Sequence, residues 1–169
     1  MAAVPTAVVA DGNLKVLWVP AIADPTAPTV AELTAAGVID LSCYLTKDGF
    51  QTGGDEQTIT DERLCSTQTF EAPGTYSDTL DLIYIYDPQS SVTTEPHNAL
   101  KRLTKGHIVA RWGTAYDEPI TASDLVDVIP GQAGVQRKQA PESNSTLKMA
   151  QKIHVTNRVE RDVAVVAGP

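Results

Sequence analysis

The chain alternates in twos along most of its length. The stretches "LKVLWV" (14–19), "VIDLSCYL" (38–45), "QTITDERL" (57–64), "TLDLIYIY" (79–86), "HIVARWG" (107–113), "LVDVI" (125–129) and "KIHVTNRVERDVAVV" (152–166) are rich in β-branched and aromatic residues and are bounded by Gly, Pro or Asp. That is the composition of strands separated by turns. Seven strand candidates predict a mainly β protein, a sandwich or barrel, with one or two short helices. In 79–86, Leu80, Leu82, Tyr84 and Tyr86 share one face, while the other changes from Thr79 and Asp81 to Ile83 and Ile85. Both faces are therefore covered toward the C-terminal end. The stretch 57–64 has no continuous apolar strip on either face, and such a strand meets water or polar partners.

Two helices interrupt the alternation. In "PTVAELTAAG", Thr29 is the expected N-cap, Glu32 its capping-box partner and Gly37 the stop. In "TTEPHNALKRLTKG", Thr93 or Thr94 is the expected cap and Pro96 sits in the first turn. Ala99, Leu100 and Leu103 form an apolar stripe, Lys101, Arg102 and Lys105 lie toward the C-terminal end, and Gly106 is expected at C′. Three stretches read as extended loops: 45–56, 70–77 and 130–145. The last has only Val135 as a large apolar residue, and a loop of that length is usually functional or disordered.

With 169 residues, 42% hydrophobic and 20% charged, the chain is expected to fold as one domain spanning 1–169, with terminal arms beside the loops. The N-terminal stretch has no basic residue ahead of its weakly apolar run and is broken at Pro5 and Asp11. Neither a secretory signal nor a membrane span is expected, which points to a cytoplasm. Cys43 and Cys65 lack any metal-binding spacing and read as two small, buried or half-buried thiols.

Charge is unevenly distributed. The net charge is −8, but residues 1–134 hold 18 acids against 7 bases and residues 135–169 hold 3 against 6, so the two parts carry −11 and +3. An acidic chain repels free nucleic acid unless a local patch dominates. The odd segment is "GVQRKQAPESNSTLKMAQK" (134–152), where Arg137, Lys138, Lys148 and Lys152 face a single acid, Glu142.

Catalytic signatures are missing. The sequence has no GxGxxG, GxxxxGK[ST], GxSxG or HExxH. His97, His107 and His154 stand singly, each more simply a surface or core residue than a base. The acids Asp55, Glu56, Asp61 and Glu62 lack the spacing of a calcium loop and read as a solvated or partner-facing rim. Aromatics, at 5%, are too few for a stacking platform. No enzyme and no cofactor is expected. What remains is an interaction protein whose acidic segment (55–62) and basic segment (137–152) meet within a subunit or between identical subunits. In the second case the contact is heterologous and builds a ring or a filament.

The order of segments from "LKVLWVPAIADPTAPTVAELTAAGVIDLSCYLT" through "TDERLCSTQTFEAPGTYSDTLDLIYIYDP" and "HIVARWG" to "VDVIPGQAGVQRKQAPESNSTLKMAQKIHVT" resembles the major tail (tail tube) proteins of siphophages that infect Actinobacteria. The resemblance covers roughly 14–166 and carries no active-site residue. It implies a β-sandwich or barrel with a flanking helix, six subunits per ring with sheets joined into an inner barrel, and rings stacked into a tube that conducts DNA. It further implies a virion location and, as partners, further copies of the chain, the tape-measure protein, a terminator and tail-tip proteins. On this reading Arg137, Lys138, Lys148, Lys152, Asp48, Asp55 and Glu56 are expected at subunit interfaces, and Gln57, Asp61 and Glu62 on a lumen wall. Two other readings compete: a tail terminator or head–tail connector, which stops at one ring, and a soluble β module that binds a ligand.

Overall fold

The computed structural model describes residues 3–90 and 94–168. Eight antiparallel strands form one curled sheet: β1 (Leu14–Val19), β2 (Ile39–Asp40), β3 (Leu45–Asp61), β4 (Phe70–Ile85), β5 (Lys105–Trp112), β6 (Leu125–Lys138), β7 (Lys148–Val155) and β8 (Glu160–Ala164). Their order is β2-β1-β5-β6-β7-β4-β3, with β8 also on β6. The sheet bends into a half-barrel. Its β1, β5 and β6 part faces its β7 and β4 part across a core of Val16, Trp18, Leu80, Leu82, Tyr84, Ile108, Ile129 and Ile153. Because side chains alternate, β1, β5 and β6 also bury Leu17, Val19, Val109, Val126 and Val128 on their other face, under Leu33 and Val165.

Helix α1 (Val30–Leu33) starts on the expected capping box. The Thr29 hydroxyl accepts from Glu32 N (3.2 Å) and the Glu32 carboxylate accepts from Thr29 N (2.9 Å). Helix α2 (Glu95–Ala99) is much shorter than expected. Pro96 is in its first turn, Thr94 makes no side-chain cap, and Thr93 lies outside the described residues. Of the expected apolar stripe, Leu100 is fully buried. Leu103 is exposed at φ 72°, because its backbone is drawn to the sheet: Leu103 N donates to Ala133 O (2.8 Å) and Ala133 N to Thr104 O (2.9 Å). Gly106 is therefore not a C′ residue. It lies inside β5 against the Trp18 ring.

All three expected loops fold largely as strand. Residues 45–56 and 57–61 are one strand, β3, with irregular pairing between Leu45 and Phe50 and between Glu56 and Thr58. Residues 70–77 begin β4, and 130–138 end β6, leaving only 139–147 between β6 and β7. The breakers that suggested loops have local explanations. Pro73 lies in β4 beside the irregular pairing between Glu56 and Thr58, on a stretch that no second described strand flanks, which is where a sheet tolerates proline. Pro130 lies between the part of β6 paired with β8 and the part paired with β7.

The expected strand 38–45 breaks. Asp40 Oδ1 accepts from Ser42 N (2.9 Å) and Leu41 O from Tyr44 N (2.9 Å), forming a turn between β2 and β3. The expected strand 152–166 follows a single path along β6 but is interrupted over 156–159, where Thr156 N donates to Pro130 O (3.0 Å).

Candidate assembly surfaces

Strands β3 and β4 pair from Leu45–Tyr84 to Asp61–Phe70, whereas β7 accompanies β4 only from Leu80 to Ile85. Beyond Leu80 the two strands leave the core as a ribbon with no third strand among the described residues, and residues 51–60 are all exposed. The ribbon carries Ile59, Phe70, Tyr76 and, in its turn, Leu64, all exposed. A two-stranded hairpin is marginal in water without something to cover it. This arm was missed in the sequence. Its sequence has no apolar alternation to find it by, and Gly53 and Gly54 read as breaks.

The outer edge of β3 has no partner strand among the described residues, since the sheet ends there. An unpaired edge of 17 residues is a ready template for another chain. A second open edge lies on β6. Its pairing with β5 stops at Gln132, Leu103 and Thr104 clip Ala133, and no described strand follows that side to Lys138.

Behind this edge is a buried polar network. Gln136 Nε2 donates to Tyr84 Oη (3.1 Å) and to His97 O (2.9 Å), while Gln151 Nε2 donates to Leu100 O (2.6 Å) and Gly134 O (3.0 Å). Burial pushes the Tyr84 hydroxyl up to about 12. The network holds α2 against β6 and β7, which fixes the open edge in place.

The predicted interface cations do not form a loop arm. They sit on the paired β6–β7 hairpin: Arg137 opposite Ala150, Lys138 opposite Met149, Lys148 opposite Ile85 and Lys152 opposite Asp81. Lys138 Nζ lies 5.6 Å from the centroid of the Tyr86 ring. Asp55 pairs with Ser77 and Glu56 with Tyr76 on the projecting arm, Gln57 falls in its register shift, and Asp61 pairs with Phe70. Glu62 follows the end of β3.

Asp48, near the root of the same strand, accepts from the Thr46 hydroxyl (3.0 Å), which with a backbone bond and nearby Lys148 holds it below the usual carboxylate range. Asp61 is likewise held down by its bond with Arg63 Nη2 (2.8 Å). No ion pair among the described residues joins arm acids to hairpin cations. The two sets lie at different places on one sheet.

Both thiols, expected to be at least half-buried, are exposed. Cys43 is in the turn before β3 and Cys65 in the turn of the arm. Neither is buried in a core: Cys43 lies on the open groove between β1, β3 and β5, beside Tyr116. Among the described residues, no three or more His, Cys, Asp or Glu side chains gather as a metal site.

Two solved structures share this architecture. One is the anti-feeding prophage baseplate, at TM-score 0.56 and 8% identity, over 95% of this chain and 98% of that one. The other is the SPP1 tail tube, at TM-score 0.57 and 9% identity, over 93% and 80%. At such identities the likeness concerns the fold. No curated protein matches significantly. The sequence pattern of one family, described as phage tail tube protein, matches residues 1–168, and the chain belongs to that family.

Proposed function

We propose that the protein builds the tail tube of a siphophage of Actinobacteria as stacked six-subunit rings, and that its hollow conducts DNA. The observation that carries this is the pair of open strand edges, β3 and the end of β6, at the two sides of one four-stranded unit, β6-β7-β4-β3. Successive strands alternate in direction, so β3 runs opposite to β6. Rotation about an axis roughly along the strands would bring β3 of one copy beside β6 of the next as an antiparallel neighbour. Repetition gives a closed sheet with no edge, which removes the liability of both.

Six copies agree with the 6-fold symmetry of the baseplate structure that shares the fold. The part of each ribbon that projects beyond the β3–β6 pairing would reach a second ring. Arg137, Lys138, Lys148 and Lys152 then lie at or beside contacts between copies, with Asp48, Asp55 and Glu56 as their partners. Gln57, Asp61 and Glu62 contribute to the inner wall. An acidic arm suits a wall along which DNA passes, since each cation set there would add phosphate affinity and slow transit. In the virion the tube would enclose the tape-measure protein and end at the terminator and tail-tip proteins, after assembly in the host cytoplasm.

The test is electron microscopy of purified protein over a concentration series, with hydrogen exchange of free and assembled protein. Hollow tubes in which the amides of 50–61 and 134–138 become protected are the expected result. Chains that stay monomeric even with added tail tips, or tubes in which neither segment gains protection, would sink the proposal.

A further inference from the structure

Beyond Leu80, a single side-chain hydrogen bond among the described residues ties the ribbon to the rest of the chain: Arg161 Nη2 donates to Asp78 Oδ1. Asp78 sits two residues past the last β4–β7 pair, Leu80–Ile153. Gly54 is opposite it in the ladder and Gly53 is opposite Thr79. At this level β3 therefore has no side chain with which to brace the ribbon, and a two-stranded ribbon has little stiffness of its own.

The backbone of β8 is shaped to offer Arg161. Val126 pairs with Val163 and Val128 with Glu160, so Arg161 and Asp162 together oppose the single residue Asp127. That is a β-bulge, which breaks the ladder and re-aims a side chain. Asp162 is held at φ 51°, a left-handed conformation that residues other than glycine seldom adopt. Its N–H donates to Asp127 Oδ1 (3.0 Å), and Asp127 Oδ2 accepts from Trp112 Nε1 (3.0 Å). The Trp112 ring in turn lies 5.9 Å, centroid to centroid, from Phe50 at the root of the arm.

A belt of contacts thus runs from Phe50 through Trp112, Asp127 and Arg161 to Asp78, across the side of the half-barrel that no strand pairing closes. It surrounds a cavity of about 300 Å³ bordered by Gly53, Gly54, Ile129, Val155 and Val159. Without the Arg161 contact, the root of the arm has space into which to swing.

We propose that Arg161 is a positioning residue whose bond with Asp78 latches the arm in one direction in the free chain. A bulge and a left-handed aspartate are costly features for a strand that could pair regularly, and here they place one guanidinium on the arm. Given the reading above that the arm joins copies, the latch prepares it for that contact, because an arm already fixed in direction loses less freedom on association. The latch itself does not depend on that reading.

The two native thiols, Cys65 in the turn of the arm and Cys43 on the body, are both exposed and take spin labels without further substitution. At concentrations below assembly, the distance between the labels is expected to be narrowly distributed in the parent. It should broaden in Arg161→Gln and in Asp78→Asn, and stay narrow in Arg161→Lys, which keeps the charge. The Arg161 side chain is 58% exposed, so its variants should keep the parent's fold, checked by circular dichroism. The concentration for half-assembly should rise roughly three- to tenfold in Arg161→Gln and return most of the way in Arg161→Lys.

A distribution that stays equally narrow in Arg161→Gln and Asp78→Asn, or is already broad in the parent, would overturn the proposal. A broadened distribution with unchanged assembly would support the latch and count against the arm as a contact between copies.

Discussion

Trp18 occupies the space that a Gly106 side chain would need. A Cβ built on Gly106 lies 2.5 Å from the indole Cζ2 and 2.9 Å from Val19 O. Trp18 is 2% exposed and sits at the centre of the core, on β1 next to β5, so the ring cannot move aside without opening that core. Gly106→Ala is expected to destabilise the monomer by about 1–3 kcal/mol through overpacking. Thermal unfolding checks this. A variant as stable as the parent would mean that the ring relocates freely and that glycine here is not required by packing.

Arg111 is the most buried charge among the described residues. It ties the 113–124 connection to the barrel: Nη1 donates to Pro119 O (2.9 Å) and Asp124 Oδ2 (3.0 Å), and Nη2 to Ala115 O (2.8 Å) and Glu118 O (3.0 Å). Arg111→Met leaves the carbonyls and the part-exposed Asp124 carboxylate without their donor, at an expected cost of about 1–3 kcal/mol. The same site should govern acid stability.

Burial would raise the Asp124 pKa, but hydrogen bonds from Thr121 N and from Arg111 outweigh it, and the group titrates below its ordinary 3.8. A lowered folded pKa means that the unfolded chain binds more protons, so the contribution is present above 3.8 and is lost as pH falls below it. Denaturant titrations between about pH 5 and 2 should show a steeper loss for the parent than for Asp124→Asn. Parallel curves would remove Asp124 from the account.

Tyr84 tests the network behind the β6 edge. Its hydroxyl lies 3.1 Å from Gln136 Nε2, 3.2 Å from Gln151 Oε1 and 3.3 Å from Met149 Sδ. Tyr84→Phe keeps the ring in the core and removes the hydroxyl, leaving Gln151 Oε1 without that donor. The expected cost is about 1–2 kcal/mol, or roughly 2–8 °C in Tm at this chain length. If the network fixes α2 against the sheet, amides of 95–100 should exchange faster in the variant. Unchanged exchange there would confine Tyr84 to packing.

What could be read in the sequence follows from how far each signal is local. β1 is bounded by the residues expected, because Val16 and Trp18 face one core and Leu17 and Val19 the other, within six residues. The α1 capping box needs only Thr29 and Glu32. The arm could not be read, because Gly53, Gly54, Pro73 and Gly74 signal breaks when counted alone. In the fold, Gly54 and Gly74 instead mark close approach: an added Cβ would meet Ser77 O at 2.5 Å and Gln57 O at 2.7 Å. α2 failed for the opposite reason, since local helix signals lost to the clip between Leu103 and Ala133, residues far apart in sequence. The interface cations were picked out as residues, but their placement on a β6–β7 hairpin depended on pairing, which alternation through 130–145 does not display.

The charges on that hairpin give the last test. Arg137 lies opposite Ala150 in the sheet, and Lys138 lies over Tyr86. Both side chains are exposed and neither joins an ion pair among the described residues. Reversing them should leave the monomer almost as stable, within about 0.5 kcal/mol apart from the lost contact with Tyr86. If they face Asp48, Asp55 or Glu56 of another copy, Arg137→Glu with Lys138→Glu should raise the concentration needed for tubes several-fold at about 0.1 M salt. The difference should shrink toward about 1 M, where the screening length falls to about 3 Å. Assembly is read by sedimentation and microscopy at both salts. Tubes of the double variant with the parent's salt dependence would show that these cations are solvated in the assembly, and the β3 and β6 edges would then have to hold the ring without them.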